Sequence, residues 1–577
     1  VDSEQILTRL RAEGYAISPD YRGSDLVVVN TCGFIGEAKK ESIDAIFEMA
    51  HHKETGRCQK LVVSGCLSQR HPDELAREMP EVDHFLGSSD MLKLGSVLRG
   101  GADRMLVGTP ADWLTSAAAP RRLSTPRGHA YVKIAEGCNR TCSFCVIPEL
   151  RGKQRSRAIA DVVREVEELV DQGVKEVNLV SQDTIAYGRD LDGEANLGAL
   201  VRAVADVKGV HWVRIFYLYP ETMSDRLVDL LASHPRVVPY VDMPLQHAAD
   251  AMLQRMRRGH GGERLRKVVT QLKEKVPDLT FRTAFIVGHP GETEEEFEEL
   301  CEFVRWARFD RVGVFRYSDE ESCRSFTFEG KVPAKTAERR YRKLMALQRK
   351  IAHENNQRLV GRELDVLVEG TSDEHEYVVM GRHRGQAPDI DGQVYLSGGE
   401  CSPGEMRRVE ITQASDYDLR ETAAGSGSWV LTRLSDGTTT AVNSGDVVDG
   451  MRIGGTDGVV GHSDFQYDWV PVQDIARIEV LRGPMSVLYG AEALGGVVNV
   501  VTRAPGERWA FGALAEGSWS DGGQGGGGHR AALSASGPLS DQWRLGVVAS
   551  DSRRDEVTNA AEPRLGDIEG HHKRDGA

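Results

Sequence analysis

The chain has 577 residues, enough for three or four domains, and its 40% apolar and 28% charged residues are ordinary for a folded protein rather than a disordered one. Its formal net charge of −15, from 87 acids against 72 Lys and Arg, argues against a general polyanion binder and favours a basic protein partner. No apolar run reaches the roughly 18 residues a spanning helix needs. Nine cysteines, odd in number and unevenly spaced, fit a reducing compartment where thiolates bind metal. Residues 1–14 read as a polar amphipathic helix without a signal-peptide pattern, which points to the cytoplasm.

Residues 26–30 and 61–64 are β-branched runs, each followed by a turn and a helical pattern such as Ile43, Ile46, Phe47 and Ala50. They predict parallel strands of an α/β sheet. Ligands collect beyond the carboxyl ends of such strands, and Cys32 (NTCGF) and Cys66 (SGCLS) both fall there. The alternative for this pair is two small buried hydrophobes. Cys58, just before a strand, reads as an inert thiol.

A Pro/Ala/Ser linker runs through Pro126, and a short apolar strand over 131–135 then leads into YVKIAEGCNRTCSFCVIPELRG, residues 131–152. Cys138, Cys142 and Cys145 stand there at C-x-x-x-C-x-x-C spacing. Three thiolates so spaced can hold a four-iron cube and leave one iron open to a further ligand. Zinc is the weaker reading, because no fourth Cys or His follows closely before His211. An odd set packed this tightly does not suit disulfides.

The run GCNRTCSFCVIP, with RG and SR behind it, resembles the radical S-adenosylmethionine (SAM) enzymes, and within them the methylthiotransferases. The resemblance implies a 4Fe-4S cluster on Cys138, Cys142 and Cys145 whose open iron takes the amino and carboxylate groups of SAM. One electron then cleaves the sulfonium to a 5′-deoxyadenosyl radical. A second 4Fe-4S cluster is implied in the N-terminal domain, on three cysteines of which two match Cys32 and Cys66. The third would precede Val1, so that ligand set is incomplete as the sequence stands.

Five further parallel strands are expected over 177–180, 212–218, 237–242, 280–287 and 312–317, in a βα repeat. With the strand at 131–135 they make six, too few to close a (βα)8 barrel. The partial barrel of the radical SAM enzymes has this form. Polar residues at strand ends, Ser181, Gln182, Asp183, Tyr217, Tyr219, Gln246 and His247, are expected to line its mouth. Gly288 and Gly291 end the fifth strand where backbone can approach a ligand. By resemblance Phe144, Ser181, Gln182, Gly288 and Gly291 are the candidates to contact SAM. Thr293 and Glu296 read as a capping box for an acidic helix, in which Cys301 is core. Cys323 falls near the barrel mouth. The segment at 242–259, with its LQHA, resembles the RimO type, which modifies a ribosomal protein, rather than the tRNA-modifying type.

A helix over 334–355 leads to short strands at 363–369, 377–380, 393–396 and 407–411, which resemble a TRAM domain, a small β-barrel. Residues 357–421 hold 14 acids against 7 arginines, a charge of −7, the wrong sign for an RNA surface and the right one for a basic ribosomal protein. Past a flexible linker at 422–445, Glu479, Arg482, Gly483, Pro484, Tyr489, Gly490, Gly495, Gly496 and Asn499 match the plug of a TonB-dependent receptor. Alternating residues behind it resemble two or three barrel strands, far short of a closed membrane barrel.

The organisation expected is therefore α/β overall. An N-terminal methylthiotransferase domain spans 1–105 and a linker 106–126. A radical SAM partial (βα)6 barrel spans 127–356 and a TRAM barrel 357–421. A plug-like fragment at 446–506 and incomplete strands at 507–577 read as a foreign tail, joined by fusion or gene-assembly error. The activity implied is transfer of a methylthio group to the β-carbon of an aspartate in small-ribosomal-subunit protein twelve. SAM serves as radical source and methyl donor, with an electron donor and a sulfur source as further partners. Nucleic acid as substrate and functional membrane insertion are not expected. The alternatives are a tRNA adenosine methylthiotransferase and a fragment of a TonB-dependent receptor.

Overall fold

The two β-branched runs form β1 (Leu26–Thr31) and β2 (Lys60–Gly65) of one parallel sheet, which β3 (His84–Leu86) and β4 (Met105–Leu106) continue in sequence order. This computed structural model describes residues 1–421 except 19–20, 101–102, 111–112, 120, 124–127, 221–222, 373–374 and 397–400. Beyond 421 it describes only the strands named below and Trp509. The register Asn30↔Ser64, Thr31↔Gly65 brings Cys32 and Cys66 out beyond the same sheet edge. Helix Gly36–Thr55 packs Ile46, Met49 and Ala50 against the sheet. Phe47, expected on that face, is instead 51% exposed, because the helix turns it to the other side. The sequence pattern missed β3 and β4, which are too short to display a period.

The expected linker is pinned rather than loose. Gln5 donates to Thr115 Oγ1 at 2.7 Å, Ala117 N to Asp161 at 3.1 Å, and Arg121 pairs with Glu165 at 2.8 Å.

The second sheet contains β5 (His129–Lys133), β8 (Glu176–Val180), β9 (Trp212–Ile215), β10 (Val237–Asp242), β11 (Thr280–Val287) and β12 (Arg311–Arg316), all parallel and in that order. It is the open six-stranded form expected. Val132, Val177, Val213, Val241 and Phe285 are fully buried between it and its helices, each contributing about 1.5–3 kcal/mol by burial. Two boundaries differ from expectation. The 131–135 strand splits, because β6 (Ala135–Glu136) leaves the sheet to pair antiparallel with β7 (Arg155–Ser156). The 212–218 strand stops at Ile215, because Tyr217 adopts φ 57°, which extended backbone cannot continue through. Helix Glu294–Ala307 carries the expected capping box of Thr293 and Glu296, with Cys301 fully buried.

Helix Ala334–Gln357 leads into a closed barrel of β13 (Glu363–Ser372), β14 (His375–His383), β15 (Val394–Leu396), β16 (Met406–Ala414) and β17 (Leu419–Glu421), ordered 13-14-15-17-16. Four of these were expected; the short β17 closes the ring. The barrel caps the large sheet through Leu367 and Ala387, which pack on Trp212, Phe216 and Tyr240. Beside them lies a buried charge chain. Glu176 accepts from Arg214 at 2.8 Å and from Arg382 at 2.7 Å, and Arg382 also reaches Glu369 at 2.7 Å. Burial pushes the Glu176 carboxyl up, but Arg382 and Arg214 outweigh it and hold it at about 2.

The chain divides into two units, residues 1–424 and 425–577. In the second, Trp429–Thr432 pairs with Thr439–Val442, and Val447–Val448, Met451–Arg452, Ile475–Arg482 and Gly496–Thr502 form a four-stranded sheet in which Glu479 faces Asn499. Ala510–Ser518, Gly528–Pro538 and Arg544–Arg554 form an antiparallel meander that leaves Phe511 79% and Leu533 65% exposed. Gly483, Pro484, Tyr489, Gly490 and Gly495 lie outside the described residues, as do 422–428.

Candidate active site

The cysteine loop is a strand-end excursion closed at its base. Pairing of Ala135–Glu136 with Arg155–Ser156 ties both ends of the loop together. Gly137, at φ 85°, makes the entry turn, and a Cβ there would lie 2.3 Å from Lys153 O. Its N–H donates to Gln182 Oε1 at 3.0 Å, and Gln182 Nε2 donates to Glu136 at 3.1 Å. Buried Glu136 is also paired with Lys133 at 2.7 Å. Inside the loop, Cys138 N donates to Gly152 O, Cys145 N to Cys142 O, and Ser143 N to Met256 O. The loop backbone is therefore set by its own hydrogen bonds and by one to Met256.

Cys138, Cys142 and Cys145 all face one cavity of about 660 Å³ at the carboxyl ends of the strands. Burial pushes the Cys138 thiol up to about 11 and the Cys145 thiol up to about 12. Both are protonated at neutral pH, so any metal taken up by these thiols would displace those protons. The donors suit a cube, which takes one thiolate per iron around a shared volume. Among the described residues no three His, Cys, Asp or Glu converge on a single ion position.

Cations stand close to the thiols. Arg258 donates to Cys142 Sγ at 3.4 Å, and its guanidinium lies 4.3 Å from the Tyr219 ring centre. Arg140, held by Asp183 at 2.6 Å, stacks on the same ring at 3.7 Å. Such groups oppose the negative charge of a thiolate cluster.

Of the expected strand-end residues, Ser181, Gln182, Asp183, Tyr217, Tyr219 and Gln246 line the cavity, as does Phe144. His247 does not, which corrects the expectation that it lines the mouth. It is fully buried, its Nε2 3.2 Å from Glu292 Oε1. Gly288 and Gly291 also stand outside the lining. At φ 80° a Cβ on Gly288 would strike Ala337 Cβ at 2.6 Å, a packing demand, whereas Gly291, at φ 79°, is there for its backbone conformation. Cys323 is buried with Val146 and Leu150, and Cys58 is also buried.

Phe34, the last residue of the NTCGF motif, lines the cavity from the N-terminal domain. A Cβ on Gly33 would lie 2.7 Å from Cys66 O, so only glycine lets the two cysteine loops abut. Burial pushes the Cys66 thiol up, against the pull of Arg151. Arg70 and Lys39 join this domain to the barrel through Glu320, at 2.9 and 2.6 Å. Sequence reasoning missed Phe34, Arg140, Arg258 and Ile390 as cavity residues. The lone arginine inside the cysteine motif, Arg140, and the arginine pair of the MRRG segment were the only local signals.

A chain with three cysteines on one cavity of an open parallel barrel, followed by a small closed barrel, matches known families part by part. The Radical SAM superfamily model matches residues 132–304, the Uncharacterized protein family UPF0004 model 1–87 and the TRAM domain model 360–423. The ribosomal protein uS12 methylthiotransferase RimO of Sorangium cellulosum is 75% identical over 425 residues, 73% of this chain and 87% of that protein. The chain belongs to the RimO family of radical SAM methylthiotransferases. Other RimO proteins are those of Myxococcus xanthus, 51% identical over 419 residues (73% of this chain, 88% of that one), and Geobacter sulfurreducens, 44% over 423 (73% and 94%). The TonB-dependent Receptor Plug Domain model matches 405–497. Its first part overlaps β16 and β17, which in this RimO-family chain are strands of the closed barrel.

Proposed function

We propose that this chain adds a methylthio group to the β-carbon of an aspartate in ribosomal protein uS12, using SAM as radical source and methyl donor. Convergence of Cys138, Cys142 and Cys145 on a cavity at the strand ends is the observation that carries this reading. These three cysteines would hold the SAM-binding 4Fe-4S cluster. With SAM bound, that cluster supplies the one-electron chemistry that opens an unactivated C–H bond. Phe144, Ser181 and Gln182 line the space SAM would enter. Gln182 has a second task, bracing the loop through Gly137 and Glu136. Phe34 adds an apolar side chain of the N-terminal domain to the lining of the cavity.

Cys32 and Cys66 would contribute to a second cluster. The added sulfur and the electron require a sulfur source and a one-electron donor. A chain dependent on thiolate-held iron needs a reducing compartment, which supports a cytoplasmic location. No helix among the described residues is long and apolar enough to cross a membrane.

Anaerobic reconstitution with iron and sulfide, followed by iron counting and assay of SAM cleavage, tests the assignment. About eight irons per chain are expected if both clusters form and about four if only the first does. Replacing Cys138, Cys142 and Cys145 by Ala is expected to remove about four of them and all SAM cleavage. Retained cleavage in that triple variant would reject the ligand set.

A further inference from the structure

The TRAM barrel is not only an appendage of the catalytic barrel. Its β14–β15 loop packs against the large sheet. Arg214 donates to Arg384 O at 3.1 Å and Tyr131 Oη to Pro388 O at 3.0 Å. Tyr240 Oη donates to Asp391 Oδ2 at 2.7 Å, and Ala387 N to the same oxygen at 2.9 Å. The Asp391 side chain is 1% exposed. Between these anchors, Asp389 takes φ 65° and Ile390 is left 47% exposed in the wall of the cysteine cavity.

A second large side chain is treated alike. Tyr217, at φ 57°, is 48% exposed in the same wall. Two non-glycine residues in the left-handed region each cost free energy, and both turns set an apolar side chain at an open cavity. Exposure of such groups forgoes their burial energy until something covers them.

We propose that the β14–β15 loop is a specificity element: Ile390, in the same cavity as Tyr217, receives an apolar side chain of the polypeptide being modified, and Asp389 faces a basic residue beside it. This rests on the reading that the substrate is a ribosomal protein. Charge favours that occupant, since residues 357–421 carry 14 acids against 7 arginines and an exposed carboxylate adjoins Ile390. The loop thereby couples docking on the acidic barrel to placement of the target residue in the cavity.

The test uses the full chain with clusters reconstituted and purified uS12 as substrate, after iron content and Tm are matched to wild type. In Ile390→Ala the KM for uS12 is expected to rise about tenfold, the scale of a lost contact in an apolar pocket. The Kd for SAM should stay within about twofold, and Ile390→Leu should restore the KM. Asp389→Asn tolerates the left-handed turn; its smaller rise in KM should vanish at high salt, where charge attraction is screened. Val360→Ala, at another exposed apolar residue, is the control and should leave the KM unchanged. An unchanged KM for uS12 in Ile390→Ala, or weakened SAM binding in its place, would overturn the inference alone. Failure of the wild-type holoenzyme to modify uS12 would overturn it together with the function it rests on.

Discussion

Gly137 illustrates how one residue decides the shape of a whole loop. It enters the cysteine loop at a positive φ, and its missing side chain lets Lys153 and Gly152 carbonyls close over it. Gly137→Ala is expected to cost about 1–3 kcal/mol through backbone strain and to lower iron content after reconstitution. Thermal unfolding and iron counting check both. An Ala variant with full iron and unchanged Tm would mean that the loop base yields. The shared placement of Cys138, Cys142 and Cys145 was legible because their spacing along the chain is a local property. His247 was misjudged by the same local logic. A polar residue after a strand end reads as mouth-lining, yet Glu292, 45 positions away, draws its ring inward.

Among the elements, helix Glu294–Ala307 follows most directly from its sequence. Thr293 Oγ1 accepts from Glu296 N at 3.2 Å while Glu296 returns a carboxylate to Thr293 N at 2.9 Å. Thr293→Ala should destabilise the chain by about 1 kcal/mol, read as a lower urea midpoint with unchanged slope. Long parallel strands were equally legible, through runs of Val and Ile. The two-residue strands were not, since a pair of residues has no period, and β6 and β7 exist because they bracket the loop. β9 stopped early because of Tyr217, whose conformation is enforced by its N–H bond to Asp242 at 3.1 Å.

Across the whole first unit, Glu176 ties the catalytic barrel to the TRAM barrel. Glu176→Gln would leave Arg214 and Arg382 buried without their shared counter-charge, at a cost of about 3–5 kcal/mol. The group's folded pKa of about 2 lies below its ordinary 4.5. Its contribution is therefore present above 4.5 and lost as pH falls towards 2. Denaturant titrations of the first unit should show stability declining over that window, and Glu176→Gln should show less of this decline. A variant with the wild-type acid profile would assign the loss to other carboxylates. Ending the chain after Glu421 is expected to leave SAM cleavage and uS12 modification intact. It should also raise solubility by removing the open meander edges and exposed Phe511 and Leu533. Loss of activity on truncation would give the second unit a role.

By itself the sequence determined the strand and helix periods, the cysteine spacing, the capping box and the acidic sign of the small barrel. Each of these depends on residues a few positions apart or on composition. Only the tertiary structure decided that Phe34, Arg258 and Ile390, from three separate regions, meet Cys138, Cys142 and Cys145 at one cavity. It also decided that Glu176 would be ionised in the interior. The reason is physical: contacts between distant segments form where packing and charge pairing lower the free energy of the assembled chain. No local pattern in the sequence encodes which distant partners those will be.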